Sequence, residues 1–300
     1  MRQQPQIRSD RTLLAINAYD SARTQRQQVL HETLDYLREH FQDVHQHAQN
    51  NLKRWQTARK IKGLPKPQGQ VEMIEGDWGE VTLNLTQNYG QTFAVLNMAN
   101  AYVAGGAYQR GTAAQEENMF RRTDCHLALH EEELLSVKVS GPGEPRYKDE
   151  MTDILNAKYG RVSLDVEQAR VCVRGSETQG QPGAGYSWLD QENIFPFYEL
   201  KAAAVDLRYG RAIFDPSECK RRFNALLDTI KDAGVEYAIL GAHGCGAFAN
   251  PSHEVAKCYA SVLQERKQEF ALIAFAIYHA GYGPNNYQIF KEVFQEHHII

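Results

Sequence analysis

The last third of the sequence alternates short, continuously apolar runs with amphipathic segments. Between residues 223 and 230, large apolar side chains recur at i, i+3, i+4 and i+7, which predicts a helix with one buried face. The runs 237–240 and 272–277 are apolar at every position, as in strands that are covered on both faces. Because strands that alternate with helices usually pair in parallel, this pattern predicts an α/β sandwich with a largely parallel sheet.

The first sixty residues have a different texture. Leucines at helical spacing among glutamine, arginine and histidine predict a helical region over residues 12–60, which the Gly/Pro-containing stretch 63–67 ends. We therefore expect an N-terminal helical extension, residues 1–65, packed on a core domain, residues 66–300. Further elements expected in that core are an alternating strand at 81–85, a buried strand at 93–96, a helix over 114–129, and strands at 171–173 and 202–205.

Composition narrows the functional class. A formal net charge of -4 argues against a general nucleic-acid binder, which usually carries a basic surplus. No apolar run approaches the roughly 20 residues that cross a bilayer, and the polar N-terminus does not look like a signal peptide. The five cysteines contain no C-x-x-C pair, which favours a reducing compartment over a disulfide framework or a zinc site. We expect a cytoplasmic monomer that binds neither membrane nor nucleic acid directly.

The segment 97–117 contains the first candidate site. Small residues crowd positions 104–107 directly after a buried strand, where exposed backbone N–H groups could form an anion-binding nest. Gln115-Glu116-Glu117 follows near the start of a predicted helix, where negative charge is favoured. Two adjacent carboxyl groups beside bound phosphate would keep at least one proton near neutral pH, as acid–base catalysis needs. The same pair could equally be a solvated first turn of a helix.

A second glycine-rich segment, residues 241–250, joins a buried strand to a predicted helix. Glycines at 241, 244 and 246 allow sharp turns and expose N–H groups that could hold a pyrophosphate. Phe248 offers a ring on which a ribose or adenine could pack. Asn250-Pro251 predicts a helix start with Asn250 as the N-cap. The segment lacks the GxGxxG and GxxxxGK[ST] patterns, which disfavours a dinucleotide fold or a P-loop.

Together the two segments resemble a known family. Gly-Gly-Gly, six to eight residues and then Gln-Glu-Glu is the signature of poly(ADP-ribose) glycohydrolases, and Ala104-Gly105-Gly106 followed by Gln115-Glu116-Glu117 matches it with one glycine replaced. The alignment can also be shifted so that Ala107 is the substituted residue, and both registers stay open. The segment 241–250 resembles the diphosphate-binding loop of the microbial-type members. The resemblance is specific over residues 90–125 and 235–280.

The resemblance implies a macrodomain-like three-layer α/β/α sandwich with a mixed, largely parallel sheet, in which residues 66–300 form the catalytic core. It implies an ADP-ribosyl glycohydrolase that needs no cofactor or metal and acts on ADP-ribosylated proteins. Glu117 would be the general acid/base, with Glu116 positioning ribose hydroxyls and keeping Glu117 protonated. The residues that it implies for ADP-ribose binding are Asn100, Gly105, Gly106, Gln115, Gly244, Cys245, Gly246, Ala247 and Phe248.

Three alternatives remain at this level. The protein could hydrolyse single ADP-ribosyl groups and be inactive on polymer, it could bind ADP-ribose without turnover, or it could be an unrelated phosphate-binding α/β enzyme. Cys245 with His243 could form a nucleophile–base pair, but a small side chain between two glycines is the simpler interpretation. His45 and His47 lack partners at metal-ligand spacing. Asp77 could bind an adenine amino group, although a turn role is favoured.

Overall fold

The computed structural model describes residues 10–135, 144–210, 212–279, 281 and 283–300, with side chains of the first helix described from Asp20 onward. The strands are β1 (Gln70–Glu75), β2 (Ala94–Met98), β3 (Ser163–Leu164), β4 (Arg170–Cys172), β5 (Phe195–Ala202), β6 (Tyr237–Leu240) and β7 (Leu272–Ile277). The helices are α1 (Asp10–Lys62), α2 (Trp78–Tyr89), α3 (Gln115–Arg122), α4 (Asp149–Leu155), α5 (Pro216–Asp232), α6 (Ser252–Arg266) and α7 (Asn286–Glu296), with short 3₁₀ turns between several of them.

The strands form one mixed sheet in the order β1-β7-β6-β2-β5-β3, with β4 also paired to β5. The first five strands in that order run parallel, whereas β3 and β4 pair antiparallel with β5. The predicted α/β architecture with a mixed, largely parallel sheet is therefore confirmed. Its consequence for function is that β1, β7, β6, β2 and β5 all end at the same edge, where ligands of such folds bind.

Helices cover both faces of the sheet. On one face, α5, α6 and α7 pack around an apolar core in which the rings of Phe223 and Tyr259 stack with centroids 3.8 Å apart. On the other face, α1, α2 and α3 pack around a second core that includes Leu30, Val81 and Phe120. The result is the expected three-layer arrangement with an N-terminal helix, as in macrodomain-like folds. Within the described residues, no helix combines the length and the apolar character needed to span a membrane.

The strand predicted at 81–85 is wrong, because this segment lies inside α2. The Asp77 side chain accepts hydrogen bonds from the N–H groups of Gly79 and Glu80 and so caps the start of the helix. Gly90 ends it in the left-handed conformation, with φ of 60°. Alternating polarity over five residues is also compatible with one side of a helix. The caps at both ends of the segment stabilise the helix.

Other predicted elements differ at their ends. The strand expected at 202–205 is wrong, since β5 ends at Ala202. The helix expected over 114–129 stops at Arg122, because Thr123 is extended. The helix expected to start after Asn250 begins at Ser252 with Pro251 at the N-cap, because the Asn250 amide is used elsewhere. The long N-terminal helix and the strands over 93–96, 171–173, 237–240 and 272–277 match observed elements to within one or two residues.

α1 is kinked at His40 and packs along the rest of the chain. The buried Arg26 guanidinium donates to Glu177, with a shortest distance of 2.7 Å, and to the carbonyl oxygen of Gly111 at 3.2 Å. Gln27 donates to the carbonyl oxygen of Gln109 at 2.9 Å. α1 therefore holds two loops, residues 105–112 and 175–187, against each other. The division of the chain at residue 65 stays a prediction.

Replacing the buried Arg26 with alanine should lower the free energy of unfolding by about 3 kcal/mol, because it leaves the partly buried Glu177 without its cation. The matched control is Arg38→Ala in the same helix, whose partner Asp35 and own side chain are both exposed. That change should cost at most about 0.5 kcal/mol. Denaturant unfolding of the two variants checks this, and equal losses would show that the buried pair does not stabilise the protein.

Candidate active site

The candidate site lies where β2, β5 and β6 end. The loop after β2, residues 99–114, leads into α3, and the loop after β6, residues 241–251, leads into α6. The loop after β5, residues 203–215, leads into α5. Parallel strands thus bring the two glycine-rich segments of the sequence to one edge of the sheet, although about 130 residues separate them.

Two neighbouring carboxyl groups occupy the first turn of α3. Glu116 is 4% exposed and Glu117 is 7% exposed, so neither belongs to a solvated helix face. Glu116 accepts a hydrogen bond from the backbone N–H of Asn100 at 2.8 Å, through Oε2. Glu117 accepts one from the backbone N–H of Ala107 at 3.0 Å, through Oε1. The loop that precedes α3 therefore holds both side chains.

Gly105 and Gly106 are required by this packing. A Cβ atom on Gly106 would lie 2.6 Å from Glu117 Oε1 and 2.9 Å from Glu116 Oε2, and one on Gly105 would lie 2.6 Å from the Tyr108 ring. Both glycines also have positive φ, 73° and 59°. Neither Ala104 nor Ala107 has a positive φ, so an alanine fits at both positions and both alignment registers stay open.

Gln115 ties α3 to β2. Its Oε1 accepts from the backbone N–H of Met98 at 2.9 Å, and its Nε2 donates to the carbonyl oxygen of Leu96 at 2.8 Å. β6 pairs with β2 only at Ala94 and Val95. The Gln115 amide therefore supplies hydrogen bonds to two backbone groups of β2 that lie beyond this pairing. This gives Gln115 a positioning role, while its contact with ADP-ribose stays a prediction.

Burial changes the acidity of both carboxyl groups. Desolvation, followed by the charge of Glu117, raises the pKa of Glu116 well above its ordinary value. Desolvation also raises the pKa of Glu117, against the opposing effect of the hydrogen bond from Ala107. A carboxyl group with a raised pKa keeps its proton closer to neutral pH and can act as a general acid.

Two of the three glycines in the loop after β6 have different roles. Gly244 has φ of 77°, and a Cβ atom there would lie 2.5 Å from the Cβ of Ala204, so the fold requires this glycine. Gly246 is exposed, and a Cβ atom there would meet nothing within 4 Å. The fold does not explain a glycine at 246, whereas a ligand that approaches the backbone closely would.

Asn250 joins this loop to the loop after β5. Its Nδ2 donates to the carbonyl oxygens of Val205 at 2.8 Å and Gly244 at 3.1 Å. The backbone N–H of Leu207 donates to the carbonyl oxygen of Phe248 at 3.1 Å. Phe248 itself is partly buried, beneath the guanidinium of Arg208. Arg208 was not singled out from the sequence, because an arginine in a loop carries no local signal of its neighbours.

Cys245 does not have the properties of a nucleophile. Burial raises the pKa of its thiol to about 12, so the reactive thiolate is rare near neutral pH. His243 is buried, which lowers its pKa to about 4, and its Nε2 lies 3.1 Å from the carbonyl oxygen of Ala202. The imidazole contacts backbone instead of the thiol, and both observations favour a structural role for the pair.

The remaining polar candidates have structural partners. His45 Nε2 lies 2.9 Å from Asp124 Oδ2. Asp77 caps α2 and pairs with the buried Arg122 at 2.7 Å, which supports the turn role over an adenine contact. Across the part of the chain that the structure describes, no cluster of three or more His, Cys, Asp or Glu side chains could hold a metal ion.

The far end of α3 is held by a buried network that the sequence analysis missed. Arg121 is fully buried and donates to the carbonyl oxygen of Thr112 at 2.8 Å and to the Tyr186 hydroxyl at 3.3 Å. The Tyr186 hydroxyl donates in turn to Glu177 at 2.8 Å, and Glu177 is the partner of Arg26 in α1. The position of the carboxyl-bearing helix thus depends on side chains from two distant segments, α1 and the loop 175–187.

Comparison with known proteins identifies the carboxyl-bearing part of the chain. Residues 13–152, which include α1, the glycine pair and α3, match the family described as the microbial-type PARG, catalytic domain, where PARG stands for poly(ADP-ribose) glycohydrolase. Over these 140 of its 300 residues, the chain is similar to a catalytic domain of the poly(ADP-ribose) glycohydrolase type. No match was found among curated proteins.

Solved structures of bacterial PARGs share the fold. The poly(ADP-ribose) glycohydrolase of Thermomonospora curvata is 18% identical with a TM-score of 0.61, and the similarity covers 91% of this chain and 100% of that one. The same protein bound to the inhibitor ADP-HPD gives a TM-score of 0.58 at 18% identity, over 90% and 99%. The enzyme of Deinococcus radiodurans in complex with ADP-ribose gives 0.51 at 18%, over 86% and 92%.

The raised pKa of Glu116 predicts a pH-dependent effect of Glu116→Gln. A carboxyl group whose pKa is higher in the folded state contributes stability at low pH and loses it as pH rises through the folded-state pKa. Glutamine cannot ionise, so the melting temperature of the variant minus that of the wild type should increase as the pH rises above the ordinary pKa of a glutamate, 4.5.

Glu218→Gln is the control of opposite sign. Hydrogen bonds from Arg221, with weaker ones from Arg222, lower the pKa of Glu218 to about 2. This variant should therefore be the less stable protein near neutral pH, with the difference shrinking as pH falls through that lowered value. A Glu116→Gln difference that stays constant with pH would contradict the assignment of Glu116 as a buried group with a raised pKa.

Proposed function

We propose that this protein hydrolyses the O-glycosidic linkage at the anomeric carbon of ADP-ribosyl units in poly(ADP-ribose), with Glu117 as general acid/base. One observation carries the proposal: two buried carboxyl groups with raised pKa values lie against a glycine pair at the carboxyl edge of the sheet. Two adjacent carboxyl groups are rarely buried for structural reasons alone, because their ionised forms are costly away from water. Sites with such groups are candidates for catalysis.

The geometry supports a two-step reaction. Glu117 donates its proton to the leaving oxygen as the bond from that oxygen to the anomeric carbon breaks, which leaves an oxocarbenium-like ribose. The Glu117 carboxylate then takes a proton from a water molecule as that water attacks the anomeric carbon. Proton and charge balance, and Glu117 returns to its acid form. Glu116 supports this cycle by holding ribose hydroxyls and disfavouring a second negative charge beside it.

The substrate would lie across the two glycine-rich loops. We place the distal ribose against Asn100, Gly105 and Gly106, next to Glu117, and the diphosphate on residues 244–248. The exposed, sterically unrestricted Gly246 and the partly buried Phe248 ring support this placement. Solved relatives that share the fold hold ADP-ribose or the inhibitor ADP-HPD. All five cysteines are free, which supports action in a reducing compartment such as the cytoplasm.

The deciding experiment measures ADP-ribose release from poly(ADP-ribose) and from a mono-ADP-ribosylated protein. The proposal expects release from polymer. Release from the mono-ADP-ribosylated protein alone would replace polymer with single ADP-ribosyl groups as the substrate. ADP-ribose binding without release from either would identify a reader instead of an enzyme.

Glu117→Gln should lower the rate of ADP-ribose release by roughly 10²- to 10⁴-fold, because glutamine cannot donate the proton. ADP-ribose binding, followed by calorimetry, should change little, since the two side chains have nearly the same shape. A kcat close to that of the wild type would remove Glu117 from the mechanism. Cys245→Ser provides the comparison within the site, and we expect it to keep most of the activity.

Gly246→Val should separate ligand binding from folding. A side chain at this position meets nothing in the protein, so the melting temperature should stay within a few degrees of the wild type. Its bulk should nevertheless weaken ADP-ribose binding by an order of magnitude or more, because the diphosphate approaches the backbone there. Gly244→Ala, at a position with positive φ and a close contact, should instead lower the melting temperature. Unchanged affinity in Gly246→Val would place the diphosphate elsewhere.

A further inference from the structure

The loop after β5 lies directly against the loop that we assign to the diphosphate. Backbone and side-chain hydrogen bonds join Leu207 to Phe248 and Val205 to Asn250, at 3.1 and 2.8 Å. The segment 205–208 is therefore held at a fixed position beside residues 244–250. A side chain that extends from this segment toward the second loop can reach whatever the second loop binds.

Arg208 is such a side chain. Its guanidinium carbon lies 4.9 Å from the centroid of the Phe248 ring, in a cation–π arrangement. Its Nε and Nη2 donate to the two carboxylate oxygens of Asp206 at 2.8 and 2.6 Å. The side chain is nonetheless 39% exposed. The guanidinium is thus oriented on two sides by the protein and open to solvent on others.

Charge links Arg208 to the carboxyl-bearing helix as well. The hydrogen bond to Asp206 is the main cause that raises the pKa of Arg208, and the charge of Glu117 adds to it. The guanidinium is positively charged at every physiological pH.

We propose that Arg208 is a phosphate-binding residue of this cleft, which donates hydrogen bonds to the diphosphate of a bound nucleoside diphosphate. A guanidinium has five N–H donors, and Asp206 takes two of them, so donors remain for phosphate oxygens. Its planar fork matches phosphate geometry better than an ammonium group does. Asp206 and Phe248 fix the orientation of the fork before the ligand arrives. This inference rests on the proposed function, because it uses the same cleft.

Calorimetry with two probes, ADP-ribose and ADP, tests the inference on the full chain. Arg208→Gln should weaken binding of both by roughly 10- to 100-fold, as expected for loss of a charged hydrogen bond. Arg208→Lys should recover part of the affinity, since it keeps the charge without the fork. The affinity of the wild type should also fall more steeply with added salt than that of Arg208→Gln.

The matched control is Arg161→Gln. Arg161 also pairs with aspartates, at 2.6 Å for Asp232, and its side chain is 47% exposed. Asp232 ends α5, whereas Arg208 precedes that helix, and 17 residues of helix separate its two ends by about 25 Å. This variant removes a comparable charge away from the cleft and should bind both probes as the wild type does.

Four outcomes would decide the matter. Unchanged binding of both probes by Arg208→Gln would overturn the inference, and tighter binding would also overturn it by showing that Arg208 merely covers the Phe248 ring. Binding of ADP, but not of ADP-ribose, with loss in Arg208→Gln would support the phosphate role of Arg208 and refute the proposed function. Arg208→Gln could lose binding of both probes and also have a lowered melting temperature. If Arg208→Lys then has the melting temperature of the wild type and binds both probes again, the result still supports the requirement for a positive charge at this position.

Discussion

Burial of two adjacent carboxyl groups in the first turn of α3 is the constraint around which the site is organised. An ionised carboxylate in a low-dielectric interior costs several kcal/mol, and two side by side cost more. The chain lessens this cost with one backbone N–H for each group, from Asn100 and Ala107. It also places Gly106 where any side chain would collide with both groups. The remaining cost appears as raised pKa values, which is the property that acid catalysis uses.

A helix of eight residues cannot hold such a pair by its own stability, because short helices are marginal without tertiary contacts. Gln115 fixes its first turn to β2, and Arg121 fixes its last turn to Tyr186. Tyr186 connects through Glu177 to Arg26 on α1. The N-terminal helix therefore contributes to the position of the carboxyl groups, although it supplies no residue to the proposed chemistry.

The sequence predicted the parallel part of the sheet better than it predicted the surroundings of the two motifs. Continuous apolar runs such as 272–277 identify buried strands because every side chain there is covered. The prediction of a strand at 81–85 was wrong because the polarity pattern of five residues fits both a strand and one side of a helix. The N-cap at Asp77 shows that the segment is helical. β5 was not recognised at 195–202, since it contains a proline and the buried polar residues Glu199 and Lys201.

The candidate site shows the same division. From the local sequence alone, Glu116 and Glu117 could equally have been solvated residues in the first turn of a helix. Before the structure showed that they are buried, only the family resemblance favoured a catalytic role. Arg208 and the Arg26–Glu177 pair carried no sequence signal, because the pairing partners lie up to 151 residues apart. Contacts of this kind arise from the topology of the sheet, and no local pattern of residues encodes them.

Charge balance would let a protein with a formal net charge of -4 bind the negatively charged diphosphate that the proposed function requires. Raised pKa values favour the uncharged forms of Glu116 and Glu117, which repel such a ligand less than ionised carboxyl groups do. Backbone N–H groups attract phosphate without adding a net charge, and Arg208 adds one cation that Asp206 balances. In the proposed mechanism the proton on Glu117 serves two purposes, since it is donated to the leaving group and also lessens repulsion of the diphosphate. Loss of this proton would then weaken both substrate binding and catalysis.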